Sequence, residues 1–268
     1  MLCLYNYYFN SEGKVQSSWQ DWSYTGSVHS ADYSRDRLMV AVVYNGALNL
    51  LQHVFDAGAD TILDKRSILL DHGCHETQVT RSKVGNDTKV TLPYTPASGD
   101  LSKLVLVVSP QNTGSAVKAQ TYSPSGAVGA VLTFLNVDLT DSQFVVGLRY
   151  EFRWRLSPIY MRDRNMVAIQ DGRLQLRRVS FLYNYSGPFK TLFTPTARDT
   201  YTSIFSGFRV GAAGDEIGSL SLDSGEFRVA VNGAGERMDL EVIGQTPWRV
   251  RFSTLEWDGS YRAKKRRT

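Results

Sequence analysis

Residues 144–156, FVVGLRYEFRWRL, place Phe144, Val146, Leu148, Tyr150, Phe152, Trp154 and Leu156 on one side of an extended chain. Arg149, Glu151, Arg153 and Arg155 fall on the other. That period of two belongs to a strand; at helical spacing the same residues would scatter around every face. The pattern predicts one long strand with a single buried side, spanning roughly 43 Å at a rise of about 3.3 Å per residue. Alternation also marks the first sixty residues, where LCLYNYYF, KVQSSWQDWSY, DRLMVAVVY and ALNLLQHVF predict four strands in one antiparallel sheet the size of a propeller blade. Asn45 and Gly46 between the last two runs are a type I′ hairpin signal, because that turn needs positive φ at both central positions.

From Ala59 to about Val137 the texture changes. DTILDKRSI admits a turn of helix, and then ETQVTRSK, TKVTLPY, KLVLVVS, AVKAQTYS and AVLTFLNV read as strands punctuated by Gly, Pro, Asn and Asp. Later come GRLQLRRVSFLYNYSGPF, the glycine-rich SGFRVGAAGDEIGS, then GEFRVAVNG, RMDLEVIG and PWRVRFSTLEW. Within LQLRRVSFLY the apolar phase slips, with Leu174 and Leu176 even and Val179, Phe181 and Tyr183 odd. Either a β-bulge at Arg177 and Arg178 keeps both sets on one face, or the strand ends and restarts. The expected protein is all-β and antiparallel. A propeller-blade-like part covers residues 1–60, an inserted β-sandwich or small barrel 61–140, and a long-stranded region with a basic tail 141–268.

Composition narrows the class. A chain of 268 residues that is 42% hydrophobic can bury a core, which excludes a disordered tail protein. The formal charge of +4 is too small to define a dedicated nucleic-acid binder. Cys3 and Cys74 are too few and too far apart for a disulfide-stapled secreted scaffold, which favours assembly in a reducing compartment. MLCLYNYYFN lacks the basic start and small-residue cleavage site of a signal peptide, and no later run approaches about 18 apolar residues, so neither export by a leader nor a membrane span is expected.

Candidate chemistry is sparse. His72, Cys74 and His75 in HGCHE carry metal-ligand side chains, yet structural zinc sites add a second ligand couple farther along, and the remaining histidines are His29 and His53. A polar turn before a strand is the competing reading of HGCHE. Cys74 has no marked base or orienting acid beside it. Gly207, Gly211, Gly214 and Gly218 lack the lysine and helix of a phosphate cradle. Asp215 with Glu216, and Asp138 with Asp141, sit among turn residues, and no hydrolase, metalloprotease or kinase signature occurs. No catalytic, cofactor or metal site is expected.

Arginine is the informative population. Arg149, Arg153 and Arg155 share one strand face, Arg173, Arg177 and Arg178 surround the next, and Arg249 and Arg251 alternate with Trp248, Val250 and Phe252. Solvated outer faces, salt bridges between subunits and a lining for a polyanion compete as explanations. Lys264, Lys265, Arg266 and Arg267 form a basic tail.

Taken in order, KVQSSWQDWSYTGSV, DRLMVAVVY with LNLLQHVF, TKVTLPY, FVVGLRYEFRWRLSP, GRLQLRRVSFLYNYSGPF and TLEWDGSY resemble the tail tubular protein B family, the tail nozzle of short-tailed, podovirus-type bacteriophages. The stretch resembled is the C-terminal portion of usually longer chains, so the resemblance implies a nozzle split over two polypeptides, the other supplying the N-terminal part, or a shortened relative. It further implies a hexameric tube that seats on the adaptor ring, holds tail fibres or spikes, passes double-stranded DNA and meets the host envelope at its tip. The implied location is the virion tail, assembled in the host cytoplasm, with no enzymatic activity and no cofactor. On this reading Glu151 and the eight arginines named above, Arg149, Arg153, Arg155, Arg173, Arg177, Arg178, Arg249 and Arg251, are candidate subunit-interface or channel residues. Most of those arginines are expected to pair with carboxylates across subunits, because a channel that gripped phosphate would stall DNA. A carbohydrate-binding β module competes, with Tyr and Trp as stacking platforms, as does a single-stranded nucleic-acid binder. Both need aromatics on loops or interleaved with cations, whereas here aromatics and cations occupy opposite strand faces.

Overall fold

The computed structural model describes residues 2–10, 13–34, 37–54, 68–108, 119–165, 167–169, 171–195, 198–207, 219–220 and 222–263. Nearly all regular structure is antiparallel strand, and none of the sheets closes into a barrel among the described residues. No helix among them is long and apolar enough to cross a membrane. The chain divides into two compact units, each assembled from three separated segments. The first comprises Met1–Ala59, Leu70–Leu106 and Tyr122–Leu148; the second comprises Asp60–Leu69, Val107–Thr121 and Arg149–Thr268.

In the first unit, β1 (Leu2–Asn10) and β2 (Gly13–Trp22) pair with each other alone among the described residues, while β3 (Ser27–Ser34), β4 (Arg37–Tyr44) and β5 (Ala47–Val54) form a separate meander. The single four-stranded sheet expected for this region is therefore corrected to five strands in two sheets. The strand missing from the expectation is β3, SVHSADYS, whose residues are exposed apart from the half-buried Val28. An edge strand with no buried side needs no hydrophobic period. The Asn45-Gly46 turn forms as expected, with φ of 48° and 79° and Tyr44 opposite Ala47. Alternation in β4 buries Leu38, Val40, Val42 and Tyr44, and Trp22, Tyr24, Val28 and Leu51 pack against the first three.

The rest of this unit holds β6 (Asp71–His75), β7 (Thr80–Val84), β8 (Asp87–Thr91), a 3-10 turn at Ser98–Lys103, β9 (Leu104–Val108), β11 (Gly126–Val128), β12 (Val131–Phe134) and β13 (Phe144–Leu148). One sheet runs β11-β12-β8-β7, and β13 lies between β9 and β6 in another. All five residues of β13 are buried. The DTILDKRSI turn of helix, apart from Ile68, lies outside the described residues.

The long strand expected over residues 144–156 does not exist. β13 stops at Leu148 and pairs with β6, and β14 (Phe152–Arg155) starts a different sheet by pairing with β20 (Asp239–Gly244). The physical reason lies at Gly147. A Cβ there would sit 2.9 Å from Asp71 O, Gly73 Cα and Leu70 Cβ, so β6 and β13 approach each other as only glycine allows. Burial on both faces also removes any need for alternation in β13, and charge enters only at Arg149, where the second unit resumes. The expected single strand of roughly 43 Å falls with it.

The second unit is a two-layer sandwich. One sheet runs β14, β20, β16 (Phe189–Thr194), β17 (Tyr201–Phe205); the other runs β19 (Asp223–Ala234), β15 (Gly172–Ser186), β21 (Phe252–Ala263). Their shared core takes Leu174, Leu176, Val179, Phe181 and Tyr183 from β15, Phe189 and Phe193 from β16, Val229 and Val231 from β19, and Leu240 and Val242 from β20. Edge-to-face rings knit the layers, as between Phe189 and Phe252 at 5.0 Å and 84°. β10 (Ala119–Tyr122) pairs with β18 (Ser219–Leu220), and Ile68 bridges to Trp248.

β15 resolves the phase slip as a bulge. Its register shifts between Leu176 and Arg178 against both neighbours, with one residue more than β21 and one fewer than β19 at that point. Leu174 and Leu176 before it and Val179, Phe181 and Tyr183 after it all remain buried on the core side.

Candidate interface surfaces

Each sheet of the second unit turns a charged face outward, and together these faces carry most of the arginines singled out in the sequence. On β14, Arg155 grips Asp239 of β20 with Nε and Nη2 at 2.7 and 2.6 Å. Arg153 donates to Glu151 at 2.8 Å and to Glu241 of β20 at 3.2 Å. Gln245 Nε2 donates to the other oxygen of Glu151, and Lys190 donates to Gln245. The hydrogen bonds from Arg153 and Gln245 hold the Glu151 carboxyl below its ordinary range. The carboxylates that neutralise Arg153 and Arg155 thus belong to the same chain.

The outer face of β19-β15-β21 is arranged differently. Arg228 pairs with Glu226 at 2.6 Å along β19, and that contact, with a hydrogen bond from Ser180, draws the Glu226 carboxyl down to about 2. Arg178 stands 3.9 Å from Asp258 across the β15-β21 pair. Between them opens a trough of about 590 Å³ lined by Arg178, Ser180, Leu182, Glu226, Arg228 and Glu256, among others. Farther along, Arg173 lies directly opposite Arg262, and Arg177 occupies the bulge.

Three expected arginines lie off the strands. Arg149 is exposed between β13 and β14. Arg249 and Arg251 precede β21 and do not alternate within it. Their backbone carbonyls accept from Gly187 N at 2.8 Å and Asn184 N at 3.2 Å, and Arg249 Nε donates to Tyr185 O at 3.2 Å, so this segment fastens the end of β15. Lys264, Lys265, Arg266 and Arg267 lie outside the described residues.

The first four residues of HGCHE lie in β6 and Glu76 begins the turn after it, so the polar turn expected before a strand is mostly strand. His72 is buried, has a φ of 50°, and its Nε2 is 2.8 Å from Thr25 O. A carbonyl only accepts, so this nitrogen carries the proton. The ring lies 4.6 Å from that of Tyr44 and 5.3 Å from that of Tyr94. Asp71 accepts Thr25 N at 2.6 Å, and the Tyr44 hydroxyl accepts Ala97 N at 2.9 Å while donating to Asp100 at 3.0 Å. These contacts tie β4 and the 23–26 segment to β6 and to the chain around Ala97. Sequence reasoning missed this joint because its members are scattered over Thr25, Tyr44, His72, Tyr94 and Asp100. Burial pushes the Cys74 thiol up to about 11, which suppresses the thiolate a nucleophile needs. No group of three or more metal-ligating side chains occurs among the described residues.

The fold and its surfaces define an antiparallel β protein whose conspicuous features are charged sheet faces and long strand edges, the attributes of a part in an assembly. The family model for the bacteriophage nozzle protein matches residues 1–268, and the chain belongs to that family. It is a structural component of the phage tail. No curated protein matches it.

Proposed function

We propose that this chain is a non-enzymatic subunit of a closed, hexameric tail nozzle that conducts double-stranded DNA during ejection. In that role it seats on the adaptor ring, holds fibre or spike proteins, meets the host envelope at its tip, and is assembled in the host cytoplasm. Family membership carries this reading. The edges of the β19-β15-β21 sheet support it: among the described residues β19 and β21, each of 12 residues, pair on one side only. Long unpaired edges promote association, and a ring gives every copy the same neighbours. A second nozzle chain contributes an N-terminal part, and residues 1–60, 61–140 and 141–268 serve as successive functional regions.

Mass spectrometry of purified virions together with cryo-electron microscopy of the tail tests the proposal. The expected result is this chain in a closed ring below the adaptor, alongside a second nozzle polypeptide. Its absence from virions, or its presence only at fibre tips, would replace the ring with the glycan-binding reading.

A further inference from the structure

Two sets of exposed arginines on the sheets of the second unit differ in what they touch. Arg153, Arg155 and Arg228 each touch a carboxylate of their own chain at 3.2 Å or less. Arg173, Arg177 and Arg262 have no such partner among the described residues, although the first and last face each other across β15 and β21. Like charges directly opposite on paired strands are destabilising, so this end of the sheet gains from any external anion. It is also a tip: Arg173 is the second residue of β15 and Arg262 the second-last of β21.

Toward the middle of the same face, roughly 20 Å away at strand rise, the charge reverses. Glu226, Glu256 and Asp258 outnumber Arg178 and Arg228 around the trough, and Glu256 has no cationic partner among the described residues. Ser180, opposite both Arg228 and Glu256, keeps the trough floor small. We infer that the arginine tip of one copy docks in the acidic trough of a second copy. Both halves of the complementary pair are present on every chain, and a tip-to-trough contact is head to tail, which is the kind that closes into rings. A polyanion would suit the tip but would be repelled by the carboxylates on the same face. The inference rests on the ring reading above and names the surface through which copies meet.

Sedimentation velocity of the full chain over a concentration series tests it, with Glu256→Arg and the double variant Arg173→Glu/Arg262→Glu. All three positions are exposed, so circular dichroism and melting should match the wild type; should the double variant misfold, Arg262→Gln gives a milder loss of about two- to threefold. Each charge reversal is expected to weaken self-association at least about tenfold, and raising the salt should weaken the wild type. Mixing the two reversed chains should restore association, since arginine in the trough then meets glutamate at the tip. Wild-type association with variants that associate equally well would overturn this contact and leave the ring reading standing. A wild type that stays monomeric at every concentration would overturn both. Loss of duplex DNA binding in the tip variant, with self-association intact, would assign the tip to a polyanion and overturn the inference.

Discussion

β13 and β14 are separated by three residues and share one unbroken alternation in the sequence, yet they have almost nothing else in common. β13 is buried along its whole length, while β14 has a half-buried Phe152 followed by three exposed residues. β13 belongs to a neutral interior where glycine permits close strand approach. β14 is the edge of a sheet whose outer face is a lattice of ion pairs. Alternation is satisfied by both, because it reports which side chains are apolar and not where the chain leaves a sheet.

The comparison can be broken most forcefully at Val146, which is fully buried. Val146→Asp puts an unpaired carboxylate among apolar side chains, so the first unit should lose several kcal/mol and its cooperative transition. Hydrogen exchange would then show unprotected amides in β4, β8 and β12 with protection retained in β15; protection retained in all four would mean that β13 is not the enclosed strand described. Truncation gives a graded version. Phe144→Ala should cost about 3–5 kcal/mol in chemical denaturation, against about 1–2 kcal/mol for Trp154→Ala, whose residue is 37% exposed.

Acid should separate the units by a smaller amount. Burial lowers the pKa of His53 below its ordinary 6.5, with Asp71 opposing. The unfolded chain then takes up the proton more readily than the folded one. The contribution to stability is complete above pH 6.5 and is lost as the pH falls through the lower, folded value. Glu226, drawn down to about 2, keeps its contribution above the ordinary carboxylate range and loses it only toward that value. The first unit should therefore soften before the second as pH falls, and His53→Gln should flatten its slope between about pH 7 and 5. An unchanged slope would remove His53 from the account. The smallest effect is expected at Arg155, whose pair with Asp239 is solvent-exposed. Arg155→Ala should leave the melting temperature unresolved from wild type in high salt; a clear drop there would show that the lattice does more than solvate a face.

Local rules were legible where local chemistry decides the outcome. The Asn45-Gly46 turn follows from two adjacent residues that tolerate positive φ, and the bulge at Arg177 follows from a phase slip that a buried face must absorb. β3 was illegible because an exposed edge has no apolar rhythm. Glu241 and Asp239, which pair with Arg153 and Arg155, lie more than eighty positions away on β20, a distance over which sequence periodicity carries no information. The His72 joint was hidden for the same reason: a histidine with positive φ between two tyrosines is a tertiary arrangement. The opening resemblance located the family without locating any of these contacts.

The interleaving of the two units also governs the order of synthesis. The first unit lacks β13 until residue 148 has been made, and Ile68 of the second unit waits for Trp248. At about 5–20 residues per second, that wait is on the order of ten seconds or more. During it the core side of β15 has no β21 to cover its flank. A nascent chain of this design spends much of its time on the ribosome with apolar strands unpaired, so its yield in the cell should depend on translation speed and on chaperones that shield strands.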